Sequence, residues 1–188
     1  NENNAFNPRS AYGISKVAGF HITKNYREAY NLYSCSGILY NHESSLRNEK
    51  FISKKITSSV ARILHKKQQK IILGNINSKR DWGYAGDYVE AMWKMLQQKK
   101  AQDFVIGTGK LHSVKDFLKV AFSYVGLDYK KYIQSNKKFM RPKDSAVLLA
   151  DPKRAKKILN WKPTTSFKNL VHKMVDSDLK LLKKTHNS

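Results

Sequence analysis

Apolar residues along the chain follow two spacings, one typical of amphipathic helices and one typical of short buried strands. A helix is predicted over residues 10–26, and a short apolar run over residues 32–40 predicts a buried strand. The same patterns predict further helices over residues 51–66, 88–96, 114–125, 152–159 and 167–182, and strands over 71–73 and 103–106. Helices that alternate with short strands are typical of an α/β sheet.

Local signals support the starts of two of these helices. Ser113 is followed three residues later by Asp116, a capping box that predicts a helix beginning at Val114. Asp151-Pro152 predicts an N-cap followed by proline at the first helical position. Residues 41–50 are mostly polar and are predicted to form a loop.

The composition restricts the class of protein. The chain has 188 residues, of which 40% are hydrophobic, enough for a sizeable core. Its single cysteine, Cys35, excludes an intramolecular disulfide and suits a reducing cytoplasm. The sequence has no apolar run long enough for a membrane span and begins without the features of a signal peptide. We therefore expect a cytoplasmic protein with no membrane partner.

The formal net charge of +22 raises the question of a nucleic-acid partner. Most of the excess comes from lysine, and the few arginines, which nucleic-acid recognition favours for their planar guanidinium, do not cluster. Lysine pairs such as Lys66-Lys67 and Lys183-Lys184 instead lie along predicted helices. This distribution favours a lysine-rich surface on an enzyme that uses anionic ligands, with no nucleic-acid partner. A non-catalytic module that binds polyanions remains the alternative.

Tyr12 and Lys16 lie four residues apart in the first predicted helix, and this spacing puts both side chains on one face. Tyrosine titrates near pH ~10, and a nearby ammonium favours its phenolate form. Such a pair can remove a proton from a sugar hydroxyl while a nicotinamide accepts hydride. The spacing alone is common in helices, so the pair acquires weight only from its surroundings.

Those surroundings resemble the GDP-mannose 4,6-dehydratases over nearly the whole chain. The stretch Asn41-His42-Glu43-Ser44 is specific to this family within the wider short-chain dehydrogenase superfamily. The other matching segments follow in family order at residues 7–13, 25–30, 37–40, 55–57, 73–75, 80–83, 87–89, 103–106, 141–142, 151–152 and 161–163.

The resemblance implies the fold and its division into domains. It predicts the carboxy-terminal part of a Rossmann-like parallel sheet together with a smaller α/β domain that binds substrate. Residues 1–44 and 80–125 would belong to the NADP-binding domain, and residues 45–79 and 126–188 to the nucleotide-sugar domain.

The same resemblance assigns roles to individual residues. Tyr12 resembles the catalytic base, and Lys16 resembles the lysine that holds the nicotinamide ribose and biases the tyrosine. His42 and Arg47 resemble further contacts to the cofactor NADP. For each of these residues an ordinary structural role is the alternative.

Substrate contacts are implied at five positions. The diphosphate of GDP-mannose requires cationic groups, and Arg80 and Arg141 resemble the arginines that bind it. Asn41, at the end of a predicted strand, and Lys55 are further candidates, and Asp144 stands where the family commonly has glutamate. The chain also departs from the family pattern at Leu46 and Lys54, each of which stands where the family has an arginine.

The implied activity is that of an NADP-dependent lyase in GDP-fucose biosynthesis. It converts GDP-mannose into GDP-4-dehydro-6-deoxy-D-mannose by oxidation at C4, elimination of water and return of hydride to C6. The sequence contains neither the glycine-rich cofactor turn nor the threonine and glutamate that the family places before Tyr12. We therefore expect this chain alone to be inactive. A GDP-sugar reductase or epimerase is the close alternative, and a homodimer or homotetramer is implied by resemblance.

Overall fold

The computed structural model describes residues 1–136 and 148–184. Within these ranges the helices are α1 (Ala11–Tyr30), α2 (Ile52–Leu64), α3 (Ala85–Leu96), α4 (Val114–Tyr124), α5 (Lys153–Ile158) and α6 (Phe167–Lys184). The strands are β1 (Gly37–Leu39), β2 (Asn41–Glu43), β3 (Ile71–Leu73), β4 (Lys79–Arg80), β5 (Trp82–Tyr84), β6 (Phe104–Ile106), β7 (His112–Ser113) and β8 (Ile133–Ser135). A single 3₁₀ turn (Tyr129–Lys131) precedes β8.

The strands pair mainly in parallel. β1 pairs with β6, β2 with β5 and β3 with β8 in parallel, whereas β4 and β7 form an antiparallel pair. Parallel strands require crossover connections, and α2, α3 and α4 lie in those connections. The predicted α/β class is confirmed.

Two apolar cores lie beside these strands. The larger core is formed by α2, α4 and α6 against β3 and Trp82. The smaller core joins α3, β6 and α5 around Trp161, whose indole nitrogen donates to the carbonyl of Asp87 at 2.8 Å. The division into an NADP domain and a nucleotide-sugar domain stays a prediction.

Several boundaries differ from the sequence-based prediction. α1 continues to Tyr30, and Asn31 ends it in the left-handed conformation with φ 52°. The predicted strand over residues 32–40 is reduced to β1, because side chains bind the backbone before it: Arg27 donates to the carbonyl of Ser34 at 2.9 Å. The predicted loop over residues 41–50 begins with β2.

Of the two predicted helix starts, one is confirmed and one is shifted. The Ser113 hydroxyl accepts from the amide of Asp116 at 3.0 Å, and the Asp116 carboxylate accepts from the amide of Ser113 at 2.9 Å. Pro152 was predicted at the first helical position but occupies the N-cap of α5. No helix within the described ranges is long and apolar enough to cross a bilayer.

Candidate active site

Tyr12 and Lys16 lie at the start of α1 and are in contact. The Ser10 hydroxyl caps the helix by accepting from the amide of Gly13 at 3.0 Å, which fixes the first turn. The Lys16 amine lies 5.2 Å from the centroid of the Tyr12 ring. Tyr12 is 72% exposed, so its phenol is accessible to a ligand. The structure therefore brings the predicted catalytic pair together on one face.

None of the residues of α1 is buried. Its last turn is attached to the start of β6 through Arg27. The guanidinium of Arg27 donates to both carboxylate oxygens of Asp103, at 2.8 and 2.7 Å. The amide of Ser36 donates to the same carboxylate at 2.7 Å. Burial would raise the pKa of Asp103, but these hydrogen bonds outweigh it and lower that pKa below its usual value.

His42 lies in β2, and its ring is held in one orientation. Nδ1 is 2.9 Å from the carbonyl oxygen of Tyr40. Because a carbonyl only accepts, Nδ1 carries the proton, and in a neutral ring Nε2 is left as an acceptor. The ring also packs 5.3 Å from the ring of Tyr88.

Arg47 folds back onto the end of β2. Its Nε lies 3.1 Å from Glu43 Oε2, but the N–H is not aligned with that oxygen, so the contact is an ion pair without a hydrogen bond. Its guanidinium lies 3.6 Å from the centroid of the Phe51 ring. Glu43 is buried and accepts from the Ser53 hydroxyl at 2.6 Å. Burial raises the pKa of Glu43 despite these partners.

Asn41 and Arg80 are brought close by the pairing of β2 with β5. Asn41 is level with Trp82 in that parallel pair, and Arg80 precedes Trp82 by two residues. Arg80 also pairs across the antiparallel β4 and β7 with His112, and its guanidinium donates to the carbonyl of Lys79 at 2.7 Å. The two predicted substrate contacts therefore lie at one edge of the strands.

Asp81 organises the loops beside this edge and was given no role by the sequence analysis. Its buried carboxylate accepts from the Thr108 amide and the Gly109 amide, each at 2.9 Å, and from the Ala150 amide at 3.3 Å. It also accepts from the Thr108 hydroxyl. A Cβ added at Gly107 would come within 2.3 Å of the Ala150 Cβ, so the two loops are in direct contact. The only signal for Asp81 was its place directly after Arg80.

Of the three remaining predicted substrate contacts, the structure describes only Lys55. The Lys55 amine donates to the carbonyl of Ile72 at 2.8 Å, which directs it to the end of β3. Arg141 and Asp144 lie outside the described residues. Within the described ranges no group of histidine, cysteine and carboxylate side chains is arranged to hold a metal ion.

Two solved structures show which fold the chain has. The chain superimposes on RMD from Pseudomonas aeruginosa complexed with NADPH with a TM-score of 0.89 and 16% identity, covering 96% of this chain and 60% of that one. A dTDP-glucose 4,6-dehydratase from Bacillus anthracis in complex with NAD superimposes with a TM-score of 0.84 and 18% identity. The match covers 97% of this chain and 56% of that one. The chain therefore has the Rossmann-like α/β fold that the resemblance predicted.

The particular family follows from sequence. The family model for GDP-mannose 4,6 dehydratase matches residues 1–174, and the chain belongs to that family. It is 51% identical to GDP-mannose 4,6 dehydratase 1 of Arabidopsis thaliana, covering 97% of this chain and 51% of that protein. It is 41% identical to the Homo sapiens GDP-mannose 4,6 dehydratase, in a match that covers 100% of this chain and 55% of that protein. The chain thus spans about half the length of these relatives.

Proposed function

We propose that this chain supplies the tyrosine base and part of the nucleotide-sugar site of an NADP-dependent GDP-mannose 4,6-dehydratase. The observation that carries the proposal is the contact between Tyr12 and Lys16 at the capped start of α1 in a member of this family. The product would be GDP-4-dehydro-6-deoxy-D-mannose, with one water lost and no net oxidation.

The catalytic pair handles the proton at C4. The Tyr12 phenolate accepts the proton of the C4 hydroxyl, and the ammonium of Lys16 stabilises the phenolate through its positive charge. Bound NADP supplies the chemistry of hydride removal at C4 and hydride return at C6. The high exposure of Tyr12 supports this role, because a sugar hydroxyl must reach its oxygen directly.

One side chain of α1 and two in or after β2 suit an anionic dinucleotide. Lys16 and Arg47 offer positive charge, and the fixed ring of His42 directs one nitrogen away from the Tyr40 carbonyl as a polar contact. We propose that these three residues hold NADP. Arg47 would have to exchange part of its contact with Glu43 for a phosphate, a better partner for a guanidinium that has no aligned hydrogen bond from Nε.

The substrate diphosphate would bind at the edge formed by Asn41 and Arg80. The Arg80 guanidinium supplies the positive charge that a diphosphate needs, and Asn41 follows the carboxyl end of β1, a position at which α/β folds bind ligands. Arg141, Lys55 and Asp144 stay as proposed contacts from the family resemblance. Asp81 would act as a positioning residue, because it fixes the backbone on which Arg80 is carried.

The experiment that tests the proposal supplies the part of the enzyme that lies outside the aligned region. This chain is joined to the remaining half of the Arabidopsis relative and incubated with NADP and GDP-mannose, and the products are separated by mass. The account predicts a product that has lost one water. It also predicts that Tyr12→Phe lowers kcat by roughly 10²-fold or more, the range typical of lost acid–base catalysis.

A matched control keeps the helix and changes another tyrosine. Tyr26→Phe removes a phenol that lies on the same helix and is also exposed, and it should leave kcat unchanged. A folded, NADP-binding chimera that never dehydrates GDP-mannose would contradict the proposal, as would full activity in Tyr12→Phe.

We also propose a cytoplasmic location and a homodimer or homotetramer. A chain with a single, half-buried cysteine suits a reducing compartment. The proposed homodimer or homotetramer comes from the family resemblance, which implies pairing through α1, and Ile14 is an exposed apolar residue of this helix. Light scattering of the chimera, with Ile14→Lys as the variant expected to dissociate it, decides the oligomeric state.

A further inference from the structure

Two oppositely charged side chains are buried together between α2 and α6. The amine of Lys54 donates to Asp178 Oδ1, and the two side chains are only 8% and 3% exposed. Burying such a pair carries a desolvation cost that its attraction seldom exceeds, and apolar residues of similar size often serve stability equally well. Stability alone therefore does not account for this pair.

Lys54 has a second acceptor, which connects the pair to the candidate site. Its amine also donates to the carbonyl oxygen of Ser45 at 2.9 Å. Ser45 lies in the connection between β2 and α2 that carries Arg47. Asp178 is 124 residues away along the chain, so the ion pair links this connection to the last helix.

Ser53, which precedes Lys54 in α2, holds the end of β2 just before this connection. Ser53 donates to the buried carboxylate of Glu43 at 2.6 Å, and Glu43 contacts Arg47 at 3.1 Å. Ser53 and Lys54 thus fix two points of residues 43–47. A lysine amine is a single flexible point charge, and Asp178 restrains it where it can reach the Ser45 carbonyl.

We propose that Lys54 and Asp178 are positioning residues for cofactor binding, which hold residues 43–47 in the conformation that presents Arg47 to NADP. This inference rests on the proposed function. Lys54 replaces the arginine of the family pattern, and its contacts assign it to the support of the binding segment.

The test removes the charges while keeping the volume. In the chimera described above, Lys54→Met combined with Asp178→Leu should retain a cooperative unfolding transition, because apolar groups of similar size replace the pair. Its Kd for NADP should rise about 10-fold, which corresponds to 1.4 kcal/mol. In this chain without cofactor, the amides of Leu46 and Arg47 should exchange with solvent at least about 10-fold faster, because the connection loses its tie to α2.

Two controls isolate the effect. Lys54→Arg should keep NADP affinity within about 3-fold, since a guanidinium can donate to both acceptors. Lys94 is a matched lysine that pairs with Glu90 at 2.9 Å and donates to the carbonyl of Asn160 at 3.2 Å, but on the surface. Lys94→Met combined with Glu90→Leu should leave NADP affinity and the exchange of Leu46 and Arg47 unchanged.

A folded double variant at Lys54 and Asp178 with unchanged NADP affinity or unchanged exchange at Leu46 and Arg47 would overturn the positioning role. Failure of the proposed function has a different signature. In that case the unaltered chimera does not convert GDP-mannose, while the exchange measurement on this chain still decides whether the ion pair fixes the segment.

Discussion

At the residue scale, Asp81 carries the sharpest prediction about the site. Its carboxylate accepts from four groups, and an asparagine amide would place N–H donors against some of them. A buried donor left without an acceptor costs about 1–3 kcal/mol. We expect Asp81→Asn to lower the free energy of unfolding by about 2–3 kcal/mol, measured by urea denaturation.

The control for Asp81 is the same chemical change at an exposed cap. Asp128 accepts from the amide of Lys130 at 3.1 Å, and asparagine caps about as well as aspartate. Asp128→Asn should change the free energy of unfolding by less than about 0.5 kcal/mol. Equal losses in the two variants would show that Asp81 does not have the organising role assigned to it.

Individual roles were predicted from the sequence to very different degrees. The contact between Tyr12 and Lys16 was predicted, because it depends only on helical spacing. Asp81 was missed, because its importance comes from burial against groups distant in sequence, such as Thr108 and Ala150. Glu43 was missed because its burial against the Ser53 hydroxyl arises only in the folded chain. A local pattern contains no information about such partners.

At the element scale, the attachment of α1 should depend on pH through Asp103. The folded pKa of this carboxyl is lowered below 3.8, so the folded state binds fewer protons than the unfolded state around that pH. The stabilisation is therefore fully present above the unfolded pKa and is lost as the pH falls through the folded pKa. Asp103→Asn should lower the free energy of unfolding by about 1–3 kcal/mol near neutral pH. This difference should shrink below pH 3.8.

The control for Asp103 lies on α1 itself. Glu28 pairs with Lys24 at 3.8 Å, and both side chains are at least half exposed. Such pairs contribute little, so Glu28→Gln should leave the urea midpoint nearly unchanged at every pH. The free energy of unfolding of Asp103→Asn is compared with that of the unaltered chain. If their difference stays constant down to the lowest pH, the assigned titration is wrong.

Elements were predicted well where they are amphipathic and poorly where side chains bind the backbone. α2, α3, α4 and α6 agree with the periodic pattern to within a few residues. The strand predicted over residues 32–40 was wrong over its first half, because the Ser34 carbonyl accepts from Arg27 and the Ser36 amide donates to Asp103. Tertiary contacts of this kind override local propensity.

At the scale of the whole molecule, the charge of +22 predicts a response to salt. Like charges repel one another more in the compact state, and added ions screen that repulsion. We expect the urea midpoint to rise as the ionic strength increases from low values to about 0.5 M. Urea is the suitable denaturant here because it is uncharged.

A charge-reduced variant provides the comparison. Lys67, Lys99 and Lys100 are exposed, and replacing each with glutamate lowers the net charge by two per site. The midpoint of this triple variant should depend less on salt than that of the unaltered chain. An equal or steeper dependence would mean that the excess charge is not destabilising the fold.

The function proposed above requires an enzyme that moves hydride from C4 to C6 of GDP-mannose and releases water. The most direct measurement uses GDP-mannose deuterated at C4 with the chimera and follows the label by NMR. The account predicts deuterium at C6 of a product that has lost one water, and loss of this product in Tyr12→Phe. Label that remains at C4 in a dehydrated product, or returns to C4 of an undehydrated epimer, would contradict it.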